Sequence, residues 1–354
     1  MLENKYFLWG AGTYGARLIE YMKNDLSFVA VIDNDPQKQV VNFQGLPVIG
    51  YDEAKEYLPE TKIVVSNVMP HEVRNFLIKE SYIDKQDFYT IYDFLPRYFG
   101  LKNRLVASHA NMIATTACNI KCEACQSYIP YAAGHRHINA ESIISNVDLM
   151  FNHIDSFMNI NFPCGESLLN SKLPEVCKYI YEKYKGRYYI MVIKTNGTVI
   201  PKDDAMRCFA GCKTVFSISD YDENITIKKK VTEKCDEFGV RWYNNSACVK
   251  DKWYDFGDSR IITETIPGKL RERYKKCWIP GAGIYEGWLY LCTVQSWSHA
   301  VVKAGSRESG DVFDLRQPKN ETSREELYRI ISRQPEHGYI SHCMRCNGTM
   351  PITK

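Results

Sequence analysis

Several features are scarce or absent in this 354-residue sequence. No apolar run approaches the ~18–20 residues that cross a bilayer, so we expect no membrane partner. Neither sign of charge dominates, because 45 Lys and Arg stand against 42 Asp and Glu. The formal net charge of +3 gives no reason to expect a nucleic-acid partner. The first residues lack the layout of a secretory signal, and we therefore expect a cytoplasmic protein.

Cysteine is abundant, with thirteen residues. An odd count in a chain without an export signal does not favour a disulfide framework, and it indicates metal or redox chemistry instead. A chain of this length can bury ample core without covalent cross-links, and it predicts two to three domains.

The pattern of apolar segments divides the chain into three parts. Residues 1–98 alternate short strands and helices, which predicts a small parallel sheet. Residues 105–260 repeat this alternation over a longer stretch, which predicts a parallel α/β barrel with its site at the carboxyl ends of the strands. In residues 261–354 the alternation fails, and Gly, aromatic residues and cysteine are frequent. The fold class we expect is therefore α/β throughout the first two parts.

A glycine motif follows the first predicted strand. Gly10, Gly12 and Gly15 have the spacing of a dinucleotide-binding loop, and Asp33 ends the second strand, where it could accept hydrogen bonds from ribose hydroxyls. The segment resembles small Rossmann-like domains attached to sugar-modifying and polysaccharide-biosynthesis proteins. That resemblance implies a nucleotide or nucleotide-sugar site, and the alternative is a Rossmann-like scaffold used for docking or dimerisation.

The strongest motif is a cysteine cluster at the mouth of the predicted barrel. Cys118, Cys122 and Cys125 have the spacing Cys-x3-Cys-x2-Cys, and three thiolates on one short loop suit an iron–sulfur cluster or zinc. The loop resembles the signature of the radical SAM enzyme superfamily. A structural zinc loop is the alternative.

Further motifs extend this resemblance to the ends of successive strands. They are Cys164-Gly165-Glu166-Ser167, Lys194-Thr195-Asn196-Gly197 and Ser217-Ile218-Ser219-Asp220. The family implies an incomplete (β/α)6 barrel, a catalytic [4Fe–4S] cluster on the three cysteines, and bound S-adenosylmethionine. The residues implied to contact this cofactor are Gly165, Glu166, Thr195, Asn196, Ser217, Ser219 and Tyr128. Two departures from the family pattern are Ala124, where an aromatic residue is common, and Cys164 with Ser167, which replace a glycine and a proline.

The resemblance also implies a reaction. The reduced cluster cleaves S-adenosylmethionine to methionine and a 5′-deoxyadenosyl radical, which abstracts a hydrogen atom from an unactivated C–H bond. An electron donor such as flavodoxin or ferredoxin is then required. The protein positions the reactants, excludes water and tunes the cluster.

A second cysteine set lies near the carboxyl terminus. Cys277, Cys292, Cys343 and Cys346 resemble the twitch domain, a shortened form of the SPASM extension, which implies one fully ligated auxiliary [4Fe–4S] cluster. The segment from Ile284 to Tyr290 reads as a β-hairpin with Gly287 at its turn. A four-cysteine zinc site is the alternative.

Other polar and thiol side chains near predicted strand ends are candidates for catalysis. Cys164 and Cys248 could return a hydrogen atom to a substrate radical, or they could simply fill space in the core. His135, His137 and Asp220 are candidate bases for a hydroxyl that is being oxidised.

These observations favour a radical SAM enzyme that oxidises or epimerises a sugar or polyol, with a small-molecule substrate that could be nucleotide-linked. The first alternative is a peptide- or protein-modifying maturase, since such enzymes also carry twitch or SPASM domains. The second is a zinc-stabilised nucleotide-binding module without catalysis.

Overall fold

The computed structural model describes residues 5–58, 60–67, 70–220, 225–245, 254–277, 279 and 281–348. The chain divides into two compact units, Met1–Lys102 and Asn103–Lys354, which are described separately. Within the described ranges, no helix has both the length and the apolar character needed to cross a membrane.

Unit 1 alternates short strands and helices, as the sequence predicts. Its strands are β1 (Lys5–Trp9), β2 (Val31–Ile32), β3 (Val48–Ile49), β4 (Thr61–Val65) and β5 (Phe88–Thr90). Its helices are α1 (Thr13–Met22), α2 (Pro36–Gln39), α3 (Tyr51–Ala54), α4 (Pro70–Lys79) and α5 (Ile91–Gly100). The sequence predicts that the first part ends at residue 98, and that position lies within α5. Its Tyr98 hydroxyl donates to the Asp25 carbonyl at 2.5 Å, within unit 1.

The five strands of unit 1 form one parallel sheet in the order β3-β2-β1-β4-β5. β1 is central and apolar because both of its faces are covered, as expected in a parallel sheet. The loop that leaves β1 therefore lies where the chain order reverses, between β2 and β4. In open parallel sheets this reversal forms a crevice at the carboxyl ends of the strands.

Unit 2 begins with five strands that alternate with helices. The strands are β6 (Val106–Met112), β7 (Ser156–Phe162), β8 (Tyr188–Thr195), β9 (Thr214–Ser219) and β10 (Arg241–Asn245). The helices are α6 (Ala140–His153), α7 (Leu173–Tyr184), α8 (Asp203–Gly211) and α9 (Ile225–Phe238). The apolar periodicity predicts helices over residues 173–184 and 225–238, which are the observed bounds of α7 and α9. Asn139 is the N-cap residue of α6, and its side chain accepts a hydrogen bond from the Ser142 N–H at 2.7 Å.

The rest of unit 2 has less regular order. Its elements are α10 (Pro267–Lys276), β11 (Ala282–Tyr285), β12 (Trp288–Tyr290), α11 (Thr293–Val302), β13 (Val312–Asp314) and α12 (Glu321–Ile331). β11 and β12 form the expected antiparallel hairpin. Its turn consists of Glu286 and Gly287, with φ angles of 51° and 76°. Two successive residues with positive φ are typical of a type I′ turn, which explains the glycine.

Both parts of unit 2 share one sheet, with the strand order β10-β9-β8-β7-β6-β11-β12-β13. We expected six barrel strands within residues 105–260. The described part of that range contains five parallel strands, and the sixth parallel strand is β11, which pairs with β6. The carboxyl-terminal part is therefore hydrogen-bonded to the strand that leads into the first cysteine loop.

Candidate functional site

The first cysteine set lies on the loop that follows β6. Cys118, Cys122 and Cys125 are partly buried and line one cavity. The cavity also contains residues from the ends of four other strands or the loops after them: Gly165, Lys194, Thr195, Asn196, Ser219 and Asn245. The loop thus meets the carboxyl edge of the parallel sheet, as the barrel argument predicts.

The surroundings of this loop suit a cluster bound through thiolates. Burial raises the pKa of the Cys125 thiol, while N–H donors from Ile129 and Ser127 lower it in part. Burial also raises the pKa of Cys118, which accepts a hydrogen bond from the Ile120 N–H. Hydrogen bonds to sulfur stabilise the charged ligand and tune the clusters it holds. The donor set therefore fits an iron–sulfur cluster.

The loop rests on the segment after β7. The Glu166 N–H donates to the Ala117 carbonyl at 2.8 Å. Gly165 has φ +62°, and a Cβ at this position would lie 2.4 Å from the Ala117 carbonyl oxygen. A side chain at residue 165 would therefore displace the backbone next to Cys118. This close approach explains the glycine of the Cys-Gly-Glu-Ser motif.

The Glu166 carboxylate joins two strand ends instead of lining the cavity. It is fully buried, and it accepts hydrogen bonds from the Asn196 N–H at 2.6 Å and the Leu168 N–H at 3.1 Å. Burial raises its pKa to about 7, against the lowering effect of these donors. Asn196 in turn directs its Nδ2 toward the Cys118 sulfur, 3.8 Å away. Glu166 therefore positions Asn196 beside the cysteine loop.

The second cysteine set converges although its members are far apart in sequence. Cys277, Cys292, Cys343 and Cys346 all line a single small cavity, which apolar side chains complete together with Arg273, Arg333 and His342. Burial raises the pKa of Cys292 to about 12, and it raises that of Cys343 well above the ordinary value. Neutral thiols are expected for such buried groups until a metal or cluster takes up their charge.

Specific hydrogen bonds hold this second set in place. The Gly348 N–H donates to the Cys346 sulfur at 3.2 Å. Arg273 donates through Nη1 to the carbonyl oxygens of both Cys343 and Cys346. Cys292 is the N-cap residue of α11, and the nearby N–H groups of Val294 and Gln295 partly offset the effect of burial on the pKa of its thiol. Donors of this kind favour a bound thiolate.

Two residues connect the cysteine sets. Tyr128 lies three residues after Cys125, and its hydroxyl is 3.3 Å from Nε2 of His342, the residue before Cys343. Both side chains are buried, and burial lowers the pKa of His342 to about 3. Tyr128 is among the residues expected to bind S-adenosylmethionine, but it does not line the first cavity. A left-handed backbone at Tyr128, with φ 58°, accompanies this placement.

Other expected site residues do not line the first cavity. The Cys164 thiol is fully buried and faces Ser127, and burial raises its pKa. His135 and His137 are exposed, and their Nδ1 atoms contact the Thr116 carbonyl and the Thr115 hydroxyl, each at 2.9 Å. Ser217 and Asp220 do not line the cavity either, and Asp220 pairs with Lys228. Cys248 lies outside the described residues.

The structure brings further side chains to the first cavity. Lys194 belongs to a motif at a predicted strand end, and Asn245 ends β10; both positions are predictable from the sequence. Trp297 comes from α11 in the carboxyl-terminal part. Trp297 and His342 gave no such signal, because only tertiary packing brings them to the cavities.

The glycine loop of unit 1 forms a separate candidate site. The Asp33 carboxylate accepts hydrogen bonds from the N–H groups of Ala11 and Asp35 at 2.9 and 3.1 Å, and from Lys38 Nζ at 3.0 Å. Burial would raise the pKa of Asp33, but these donors lower it overall. The Asp33 carboxylate therefore accepts hydrogen bonds from donors of unit 1 itself, and few of its lone pairs remain to accept hydrogen bonds from a ribose.

Gly10 and Gly15 are required by close packing in this loop. A Cβ on Gly15 would lie 2.2 Å from the Gly10 carbonyl oxygen, and Gly10 itself has φ +118°. Gly12 faces open space.

Among the described residues, no three His, Cys, Asp or Glu side chains in either unit meet closely enough to bind one metal ion.

Comparisons with known proteins give partial likenesses. Residues 2–87 match a family model described as C2185-like, N-terminal. No curated protein matches the chain. Several solved structures resemble parts of it at low identity.

One of these is a tagged form of anSMEcpe with bound AdoMet, at 18% identity and a TM-score of 0.32 over 39% of this chain; the match spans 42% of that protein's length. A second is BtrN in complex with AdoMet and 2-DOIA, at 14% identity, with a TM-score of 0.42 over 71% of this chain and 96% of that one. A third is SuiB from Streptococcus suis bound to S-adenosylmethionine, at 13% identity and a TM-score of 0.33 over 59% of this chain and 42% of that one.

Proposed function

We propose that this chain is a radical SAM enzyme with two [4Fe–4S] clusters. The observation that carries the proposal is the separation of seven cysteines into two cavities. Three of them lie on one loop and share their cavity with polar residues at the strand ends. The other four surround a cavity of their own. Three ligands leave one iron of a cluster open for a cofactor, whereas four ligands complete a cluster.

The cluster iron that has no protein ligand determines the proposed role of the first cavity, which is to hold the cofactor. When bound and reduced, the cluster and S-adenosylmethionine supply a 5′-deoxyadenosyl radical that takes a hydrogen atom from substrate. The chain's own residues orient these groups: Asn196, held by Glu166, faces Cys118, and Gly165 allows the loop to approach the sheet. Lys194, Ser219 and Asn245 offer hydrogen-bonding groups to a hydroxylated substrate.

We further propose that the reaction is oxidation of an alcohol in a sugar or polyol. Conversion of a secondary alcohol to a ketone removes one hydrogen atom, one proton and one electron. A reduced cluster and S-adenosylmethionine, held by Cys118, Cys122 and Cys125, would supply the acceptor of the hydrogen atom. A cluster held by Cys277, Cys292, Cys343 and Cys346 would supply the acceptor of the electron, and a base would take the hydroxyl proton. Epimerisation would instead need a hydrogen-atom donor, and the Cys164 thiol is fully buried and does not line the first cavity. This placement favours oxidation.

Unit 1 belongs to the proposal as a Rossmann-like domain. The strand order β3-β2-β1-β4-β5 and the glycine loop after β1 support this assignment. Because Asp33 already accepts three hydrogen bonds inside the unit, we propose that this loop serves mainly as a scaffold. Calorimetry with nucleotides and nucleotide sugars tests the point, and binding that Asp33→Ala abolishes would overturn it.

One anaerobic experiment tests the central proposal. The chain is reconstituted with iron and sulfide, its iron is counted, and 5′-deoxyadenosine is measured after addition of S-adenosylmethionine and dithionite. We expect about eight iron atoms and cofactor cleavage, from two four-iron clusters. Cys118→Ala should abolish cleavage, whereas Cys208→Ala, which changes a thiol outside both cavities, should not. Bound zinc without cleavage would refute the enzyme.

A second measurement separates oxidation from its alternatives. With candidate alcohols in deuterated water, oxidation should give a carbonyl product without deuterium at the attacked carbon. Deuterium at that carbon would indicate epimerisation through a thiol. Cys277→Ala should retain uncoupled cofactor cleavage but yield no oxidised product. Turnover of a peptide in place of every alcohol tested would support the maturase alternative.

A further inference from the structure

His342 has a buried ring nitrogen directed at no partner within the described residues. The side chain is 2% exposed and lines the cavity of the four cysteines. Its Nδ1 atom is buried and lacks a hydrogen-bond partner. Burying a polar atom without a partner costs about 1–3 kcal/mol, so such an atom calls for a specific explanation.

The other ring nitrogen is fixed by the first cysteine loop. Nε2 lies 3.3 Å from the hydroxyl of Tyr128, and the two rings meet edge to face with centroids 6.3 Å apart. The Tyr128 N–H donates to the Cys125 carbonyl at 3.0 Å, which ties this tyrosine to the loop. The His342 imidazole therefore joins the loop of the first set to the cavity of the second.

The contact with Tyr128 also favours one tautomer of the His342 imidazole. A hydroxyl can donate its hydrogen to a ring nitrogen, and Nε2 of His342 is the ring nitrogen within reach of the Tyr128 oxygen. An imidazole that accepts at Nε2 carries its own hydrogen on Nδ1, the buried atom that lacks a partner.

We propose that the Nδ1–H of His342 donates a hydrogen bond to a sulfur of the group that Cys277, Cys292, Cys343 and Cys346 hold, and that Tyr128 is the positioning residue that fixes this tautomer. The inference rests on the proposed function, because it assumes a cluster in the second cavity. Hydrogen bonds to cluster sulfurs stabilise the more negative, reduced state and so raise its reduction potential. A residue of the first cysteine loop thereby controls how readily the second cluster accepts an electron.

The test is a potentiometric titration of the reconstituted full chain, followed by electron paramagnetic resonance. His342→Leu should lower the reduced-to-oxidised ratio of the second cluster about tenfold at a given potential. This change equals a fall of about 59 mV in the cluster's reduction potential for one electron. His342→Asn keeps an N–H near the position of Nδ1 and should recover part of the shift. Tyr128→Phe should move the potential in the same direction as His342→Leu, by less.

The controls separate failure of this inference from failure of the proposed function. His153→Leu also removes a buried histidine, one that contacts the Leu315 carbonyl outside the cavity, and it should leave the potential unchanged. A wild-type chain with about four iron atoms and one cluster signal would refute the second cluster itself. Two clusters with the wild-type potential in His342→Leu would refute the hydrogen bond. If His342→Leu does not fold, an unchanged potential in Tyr128→Phe refutes the inference equally.

Discussion

Substitution of Gly165 tests whether the first cysteine loop is positioned by direct backbone contact. Gly165→Ala would place a Cβ 2.4 Å from the Ala117 carbonyl oxygen and 2.9 Å from that of Thr115. Both contacts are shorter than real Cβ atoms tolerate, and both involve backbone, which cannot swing aside as a flexible side chain can. The left-handed conformation at φ +62° costs a further ~1–2 kcal/mol for alanine. The loop must therefore move, and the hydrogen bond from the Glu166 N–H to Ala117 is weakened or lost.

Gly239 provides a matched control for the conformational part of this cost. It has φ +68°, and a Cβ there meets nothing within 4 Å. Gly239→Ala should therefore lose only about 1 kcal/mol of unfolding free energy. Gly165→Ala should lose at least about 1–2 kcal/mol more, because it also breaks a buried backbone hydrogen bond.

The assay combines urea unfolding of the iron-free chain with iron counting after reconstitution. We expect Gly165→Ala to retain about four iron atoms, those of the second set, whereas Gly239→Ala retains about eight. Equal stability losses in the two variants, with full iron in both, would show that the close approach at Gly165 does not position the cysteine loop.

Further predictions concern other contacts in both units. Asp33→Asn should lower the melting temperature at pH 7. Because hydrogen bonds hold the pKa of Asp33 below its usual range, that stability is lost as the pH falls, so the difference from wild type should shrink below about pH 4; a constant difference would contradict the role of the charge. Arg273→Met should release the iron of the second set alone, while Arg271→Met, on the same helix but bonded to the His337 carbonyl, should retain it; equal iron in both variants would argue against the arginine contact. Gly283→Ala should destabilise unit 2 by about 1–3 kcal/mol in urea unfolding, since a Cβ would lie 2.1 Å from the Ser296 hydroxyl; an unaffected midpoint would mean that α11 adjusts freely.

Local patterns in the sequence carry much of the fold. The apolar periodicity predicts α7 and α9 at their observed bounds. It also predicts strands over residues 157–162, 188–193 and 214–218, and β7, β8 and β9 lie within two residues of these bounds at each end. The hairpin of β11 and β12 was also predictable, because Gly287 marks a turn that needs positive φ. These features depend on residues that are close in sequence, so the sequence of one protein is enough to predict them.

Features that depend on distant pairing could not be predicted in the same way. Nothing in the sequence of Ala282–Tyr285 indicates that this strand, β11, pairs with β6 in addition to its sequence neighbour β12. Tyr128 follows Cys125 closely and was assigned to the cofactor, yet its side chain meets His342, more than two hundred residues later. The convergence of the four carboxyl-terminal cysteines was expected from family resemblance, whereas the hydrogen bonds that hold them come from tertiary packing.

The pairing of β11 with β6 also has consequences for biosynthesis. Ala110 aligns with Ala282, so one edge of β6 stays without its partner until about 170 more residues have been translated. Contacts of such long sequence separation form slowly, and an unpaired strand edge invites association with other chains in the meantime. We therefore expect the first cysteine loop to take its final shape only after nearly the whole chain has been synthesised, so that loading of the proposed cluster would follow translation. Nascent chains truncated before residue 282 should accordingly depend on chaperones to remain unaggregated.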